Sequence, residues 1–252
     1  MTLAHCASLA TLASLVFAAA CSKDEPAAGK RAPPAPSTVV AASAGQKRFE
    51  FGPDGKTTFL IDAPLEKIKG RSTKARGTLI VDPQDLKATR GTVEVDLDAL
   101  KTETFDDAAK NKSQTEHAHN WLEVGEGVDP KQREQNRYAR FTVKAIEQLS
   151  AGKLAEIEVK NGERTVTVRA AGDLWLHGVT SPKTAVLTVA FAGPAEAPTS
   201  LHLVSNEPLS VSLQEHDVKP RDLAGKFLSG ALQQIGQKID DRVQISLDLT
   251  AK

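Results

Sequence analysis

Cysteine is almost missing from this chain of 252 residues. Cys6 and Cys21 are the whole supply, and both lie at the N-terminal end. No disulfide can therefore frame a folded domain beyond them, and no thiolate is available there for catalysis or metal binding. Aromatic residues make up only 4% of the chain, so a stacking platform for nucleobases is poorly supported. Neither sign of charge prevails, with 32 basic and 32 acidic residues. No broad field is present to attract nucleic acid, which is not expected as a partner. The motifs His-Glu-x-x-His and Gly-x-Ser-x-Gly are both lacking, which removes the familiar signatures of a zinc protease and of a serine hydrolase. The chain is expected not to be an enzyme.

Residues 1–20 contain no Lys, Arg, Asp or Glu. The apolar run Leu9 to Ala20 is too short to span a bilayer and has the character of an export signal. It ends in Ala18-Ala19-Ala20 directly before Cys21, which resembles the lipobox of bacterial lipoproteins. That resemblance implies acylation of Cys21, palmitate among the chains, and a bacterial membrane as partner through an N-terminal anchor. The alternative is an ordinary signal peptide cut near Ala20. Ser22 and Lys23 follow the cysteine without the Asp that marks inner-membrane retention in some bacteria, so the expected address is the periplasmic face of the outer membrane. Residues 21–46, rich in Lys, Ala, Pro, Ser and Gly, read as a disordered tether.

From residue 47 to 252 the pattern changes to short apolar alternations separated by turn signals. Phe49 and Phe51 alternate with charge, and Thr58 to Asp62, Gly77 to Asp82 and Thr92 to Asp98 continue the pattern. Phe141 to Ala145, Leu154 to Val159, Val166 to Leu176, Leu201 to Leu203, Leu209 to Leu213 and Val243 to Leu249 follow. Asn161-Gly162 is a strong hairpin signal. About eight to ten antiparallel strands are expected, in a sandwich or barrel. Two segments depart from the alternation. Residues 106–136 form a polar insert whose first half reads as an exposed helix docked by Trp121 and Leu122. Residues 222–239 carry Leu223, Phe227, Leu228, Ala231, Leu232, Ile235 and Ile239 at helical spacing and could cover a barrel end.

One stretch is distinctive. In Gly172-Asp173-Leu174-Trp175-Leu176-His177-Gly178-Val179-Thr180-Ser181-Pro182, a strand leads to a corner punctuated by Gly178 and Pro182, and a second strand returns. This hairpin resembles that of the YceI-like family of periplasmic lipid-binding proteins. Ile68 to Pro83, Val93 to Thr102 and Tyr138 to Ala145 match the same family pattern in the right order. The resemblance spans roughly residues 48 to 250. It implies a lipocalin-like antiparallel β-barrel; the polar insert and the helical segment after Arg221 depart from the family pattern and would add one or two peripheral helices. The resemblance also implies an apolar interior for a polyisoprenoid or other long-chain lipid, with no further cofactor. The residues it places inside are Phe59, Ile61, Leu79, Val93, Val95, Leu97, Trp121, Phe141, Val143, Leu174, Leu176, Leu187 and Val189.

A barrel of this size can instead be filled by its own side chains, leaving a scaffold whose work is done by the insert. A third reading is a zinc-binding hydrolase using His117, His119 and His177. Solvent-exposed histidines in the insert and a backbone-bonded turn histidine at 177 are the simpler expectation. Glu94, Asp96 and Asp98 read as the outer face of a strand. Glu215 to Asp222 reads as a solvated charged corner.

Overall fold

The computed structural model describes residues 41–52, 55–62, 67–219 and 242–252. The export signal, Cys21, most of the tether and the amphipathic segment at 222–239 lie outside the described residues. Within them the chain forms thirteen strands in one sheet, with two helices in the insert.

The first strands are β1 (Lys47–Glu50), β2 (Lys56–Asp62), β3 (Lys67–Ser72), β4 (Ala75–Asp82), β5 (Asp85–Asp96) and β6 (Leu100–Thr102). The insert holds α1 (Ala108–Trp121) and α2 (Pro130–Asn136). Then come β7 (Tyr138–Leu149), β8 (Val159–Lys160), β9 (Glu163–Leu176), β10 (Val179–Ala192), β11 (Ser200–Ser205), β12 (Leu209–Ser212) and β13 (Arg242–Ala251). Every pairing is antiparallel, and the order is β1-β4-β5-β7-β9-β10-β11-β13-β2-β3-β6.

The two ends of that order belong to the same pair of bent strands. Strand β3 runs into β4 across Thr73-Lys74, and β5 runs into β6 across residues 97–99. The pair β3–β6 therefore prolongs the pair β4–β5. Likewise β11 and β12 both lie against β13, separated by residues 206–208. Counted as continuous staves, the curled sheet comprises β2, β3–β4, β5–β6, β7, β9, β10, β11–β12 and β13. Thirteen strands appear because three of these eight staves are broken by bends and the short β1 and β8 add to the edges of β4 and β9. At the first bend the Ser72 hydroxyl donates to the Asp96 carbonyl at 2.8 Å. At the second the Asp98 amide donates to the Asp96 carboxylate at 3.1 Å, an Asx-type turn that a Pro- and Gly-based reading overlooks.

Period-two alternation decides which face turns inward. In β9, Val166, Val168, Ala170, Leu174 and Leu176 are buried, and in β10 Ala185, Leu187, Val189 and Phe191 are their buried counterparts. Two glycines on this inner face sit beneath aromatic rings. A methyl at Gly70 would overlap the Phe59 ring, and one at Gly172 would overlap the Phe141 ring.

One end of the barrel is sealed by apolar contact. Phe49 of β1 and Phe51 just beyond it pack with Leu86, Leu154, Val166, Phe191 and Leu249. The Phe49 and Phe191 rings meet edge-on, with centroids 6.3 Å apart. Residues 154–159, expected as a strand, instead make a single 3-10 turn, Leu154–Glu156, followed by the short β8. The turn inserts Leu154 into the barrel end, where it is 1% exposed. Its amide bonds the Pro83 carbonyl at 2.9 Å. An apolar plug buries more of Leu154 than an added edge strand would.

Replacing Phe49 with Ala should destabilise the fold by about 3–5 kcal/mol, because the plug has no neighbour free to collapse into the void. Urea unfolding would show this as a lower midpoint at unchanged slope. A loss below about 1 kcal/mol would mean that β1 does not seal the barrel.

Candidate functional site

The inner face encloses a cavity of about 220 Å³ whose wall is almost wholly hydrocarbon. All thirteen residues expected in the interior lie on this wall: Phe59, Ile61, Leu79, Val93, Val95, Leu97, Trp121, Phe141, Val143, Leu174, Leu176, Leu187 and Val189. The barrel is therefore hollow at its centre and packed at its ends.

Strict alternation misses part of the wall. Strand β7 carries bulges between Val143 and Ala145 and between Ile146 and Gln148, each of which shifts its register against β9. Ile146 and Leu149 return inward out of phase for that reason. Leu201, Leu203 and Leu247 also line the cavity. Their strands were legible, and only their orientation went unassigned.

Five polar side chains interrupt the wall: Thr57, Ser72, Thr89, Ser205 and Glu207. Ser72 donates to the Asp96 carbonyl and Thr89 to the Leu86 carbonyl, each at 2.8 Å. The Ser205 hydroxyl accepts from the Leu247 amide at 2.9 Å. The Thr57 hydroxyl is buried without a hydrogen-bond partner among the described residues.

The end opposite the plug is covered by polar contacts. Helix α1 starts at Asp107, whose carboxylate accepts from the amides of Ala109 and Lys110. It buries no residue fully, as an exposed helix should, yet Ala118, Trp121 and Leu122 reach the cavity. It is held to β6 by the Thr102 hydroxyl donating to the Asn111 carbonyl at 2.8 Å. The His119 Nε2 donates to the Leu100 carbonyl at 3.0 Å.

The β9–β10 corner ties this cover down. His177 and Gly178 form the two-residue turn, with φ of 51° and 85°, a geometry for which glycine at 178 is suited. Pro182, expected in the turn, instead lies within β10 opposite Asp173. The His177 ring is 1% exposed and bridges two segments. Its Nε2 lies 3.1 Å from the Glu123 carboxylate in the insert, and its Nδ1 donates to the His216 carbonyl at 3.0 Å. Glu123 also accepts from Asn136 at 3.1 Å and from Gln132.

His216 is fully buried, so the corner expected at Glu215 to Asp222 is not a solvated loop where it is described. Its Nδ1 donates to the Leu176 carbonyl at 3.2 Å, and its Nε2 lies 3.0 Å from the Ser181 hydroxyl. Burial holds its pKa below the ordinary histidine value, against the opposing pull of the Leu176 carbonyl and the Glu215 charge. A charged corner conceals this histidine in the sequence, because burial of a polar ring leaves no periodic trace.

The three histidines of the zinc reading are not gathered: His119 is bound to Leu100, while His177 is bound to Glu123 and His216. Among the described residues no group of three His, Cys, Asp or Glu side chains is placed to hold a metal. Glu94 and Asp96 do lie on the outer face, but they are buried there under arginines. Glu94 is clamped between Arg76 and Arg140, and Asp96 is held by Arg137 at 3.0 Å. No cleft opens between these carboxylates of the kind a glycosidase pair requires.

A family model described as the YceI-like domain matches residues 53–251. No curated protein matches the chain in sequence. Among solved structures, a polyisoprenoid binding domain from Saccharophagus degradans is similar at 14% identity, covering 81% of this chain and 97% of that one, with a TM-score of 0.52. Burkholderia cenocepacia BcnA is similar at 13% identity, covering 80% of this chain and 99% of that one, with a TM-score of 0.49. No helix among the described residues is long and apolar enough to cross a membrane.

The buried neutral His216 should make stability depend on pH. Its folded pKa lies below the unfolded value of about 6.5, so the unfolded chain takes up the proton first. Its contribution is complete above that value and is lost as pH falls through the lowered folded pKa, by up to about 1.4 kcal/mol per pH unit. Urea midpoints compared at about pH 7.5 and 5.5 should fall less in His216→Gln than in the parent chain. An equal fall in both would show that His216 does not set this dependence.

Proposed function

Because the chain belongs to the YceI-like family, we propose that it is a non-enzymatic lipid carrier of the bacterial periplasm that holds a long-chain, polyisoprenoid-like lipid inside its barrel. The observation that carries this reading is the hydrocarbon-walled cavity of about 220 Å³. A polyisoprenoid tail asks for no hydrogen bonds, and each buried CH₂ contributes about 0.8 kcal/mol. Such a wall suits a tail and little else. The name of the Saccharophagus degradans domain points to the same ligand class. Residues lining the cavity, from Phe59 to Leu247, make the tail contacts in this reading. The N-terminal features add the anchor: an acylated Cys21 followed by a tether at 21–46 holds the barrel at the periplasmic face of the outer membrane.

Val143 offers a direct test of the carrier. It lines the cavity, so a larger side chain there projects into the lumen. Val143→Phe should keep the melting temperature within a few degrees, short of the 1–3 kcal/mol cost of overpacking a solid core. It should also remove most of the lipid that mass spectrometry finds in organic extracts of the natively purified protein. Parent protein that never yields lipid would reject the carrier reading.

The anchor is tested separately. Cys21→Ser should move the protein from the membrane pellet to the soluble periplasmic fraction. Unchanged fractionation, with no acyl mass on the N-terminal peptide, would leave Cys21 as the flank of an ordinary cleavage site.

A further inference from the structure

The barrel wall has a seam, and the cavity reaches the surface there. Strands β10 and β11 pair from Ala192–Ser200 to Leu187–Ser205, and the Asn206 amide adds one more bond to the Val186 carbonyl at 2.9 Å. Beyond that point the ladder stops. Pro182 on one side and Pro208 on the other have no N–H to donate, and among the described residues β12 pairs only with β13. A surface groove opens along Pro182, Thr184, Pro208 and Ser210, and Leu209 lines both this groove and the inner cavity.

Glu207 stands at this break. It is the one charged residue and the one exposed residue among those described that line the cavity. No cation is paired with it among the described residues. The two lysines of the groove are engaged elsewhere, Lys183 with Glu215 at 2.7 Å and Lys144 with Asp173 at 3.2 Å. Two hydroxyls face the cavity nearby. Ser205 accepts from the Leu247 amide and keeps its own proton to donate. Thr57, paired with Leu247 from the other side, is 7% exposed and has no partner among the described residues.

We propose that Glu207, Thr57 and Ser205 form the head-group subsite of the cavity, and that it selects a neutral, hydroxyl-bearing head over an anionic one. The inference rests on the carrier reading above and adds the ligand's polar end to it. Either hydroxyl, Ser205 or Thr57 on the strands that flank Leu247, can donate to a ligand oxygen, and the Glu207 carboxylate can accept a hydrogen bond from the ligand in return. An alcohol meets both needs. A phosphate or carboxylate head meets the first and sets a second negative charge against Glu207 at the mouth of the cavity.

Delipidated protein can be titrated with farnesol and with farnesyl monophosphate, which share one tail, following the fluorescence of the cavity residue Trp121. The parent chain should bind the alcohol roughly tenfold more tightly than the phosphate. Glu207→Gln should bring the ratio to within about twofold, mainly by tightening the phosphate, and Glu207→Lys should invert it, with farnesol weakened as its hydroxyl loses an acceptor. Thr57→Val should leave the melting temperature unchanged or higher, since it removes an unpaired buried hydroxyl, and weaken farnesol several-fold. A ratio that stays the same in both Glu207 variants would overturn the subsite while leaving the carrier standing. A lower melting temperature for Thr57→Val would assign that hydroxyl to the fold and remove it from the subsite. If the parent chain binds neither probe, the carrier reading falls, and the subsite with it.

Discussion

A hydrocarbon cavity gives the surrounding backbone nothing to bond. Each amide and carbonyl of the wall must therefore find its partner sideways, within the sheet, because a buried unpaired peptide group costs more than a typical hydrogen bond returns. That constraint explains the curled sheet, in which β3–β4 and β5–β6 serve as single bent staves and rejoin the two ends of the strand order. It also explains where the wall is weak. Between β10 and β12 the ladder lapses where prolines remove the donors, and there the nearest cavity residue is a carboxylate that meets water.

The two ends of the barrel are closed by different physics. At one, Phe49, Phe191 and Leu154 interlock by shape, and no charge is involved. At the other, α1 has almost no apolar face to offer and is held by hydrogen bonds to β6 and through Glu123 to His177. Contacts of the first kind are non-directional and scale with the apolar area buried, whereas those of the second kind depend on the placement of single donors and acceptors. The cover over the cavity is thus the part that one substitution of a polar side chain can loosen.

Strand existence and inward parity were legible in the sequence, because a half-buried strand writes its orientation as alternation. Phe59, Val93, Leu174 and Leu187 needed nothing more. The Asn161-Gly162 turn declared itself by composition, with φ of 53° and 84° in the structure. Bends, bulges and plugs were not legible. Ile146 and Leu149 lie beyond register shifts that depend on what β9 opposes to β7, which no local pattern encodes. Leu154 reads as a strand residue in isolation and becomes a plug only because a barrel end needs filling. Buried polar groups were the least visible. His216 sits in a charged run and Glu94 in an acidic stripe, and each is buried by partners far away in sequence.

Gly70 and Gly172 have a consequence for how the fold can change over time. Each is a vacancy in the wall that a neighbouring ring, Phe59 or Phe141, lies across. The bore of the barrel is then set at these places by the two rings. Shortening an aromatic widens the bore with the strand register untouched, whereas a carbon added at either glycine also meets a backbone carbonyl, that of Lys101 or Thr142, and the sheet itself would have to give. A lineage can therefore adjust the bore by single substitutions at the two aromatic positions, without altering a turn, a bend or either end of the barrel.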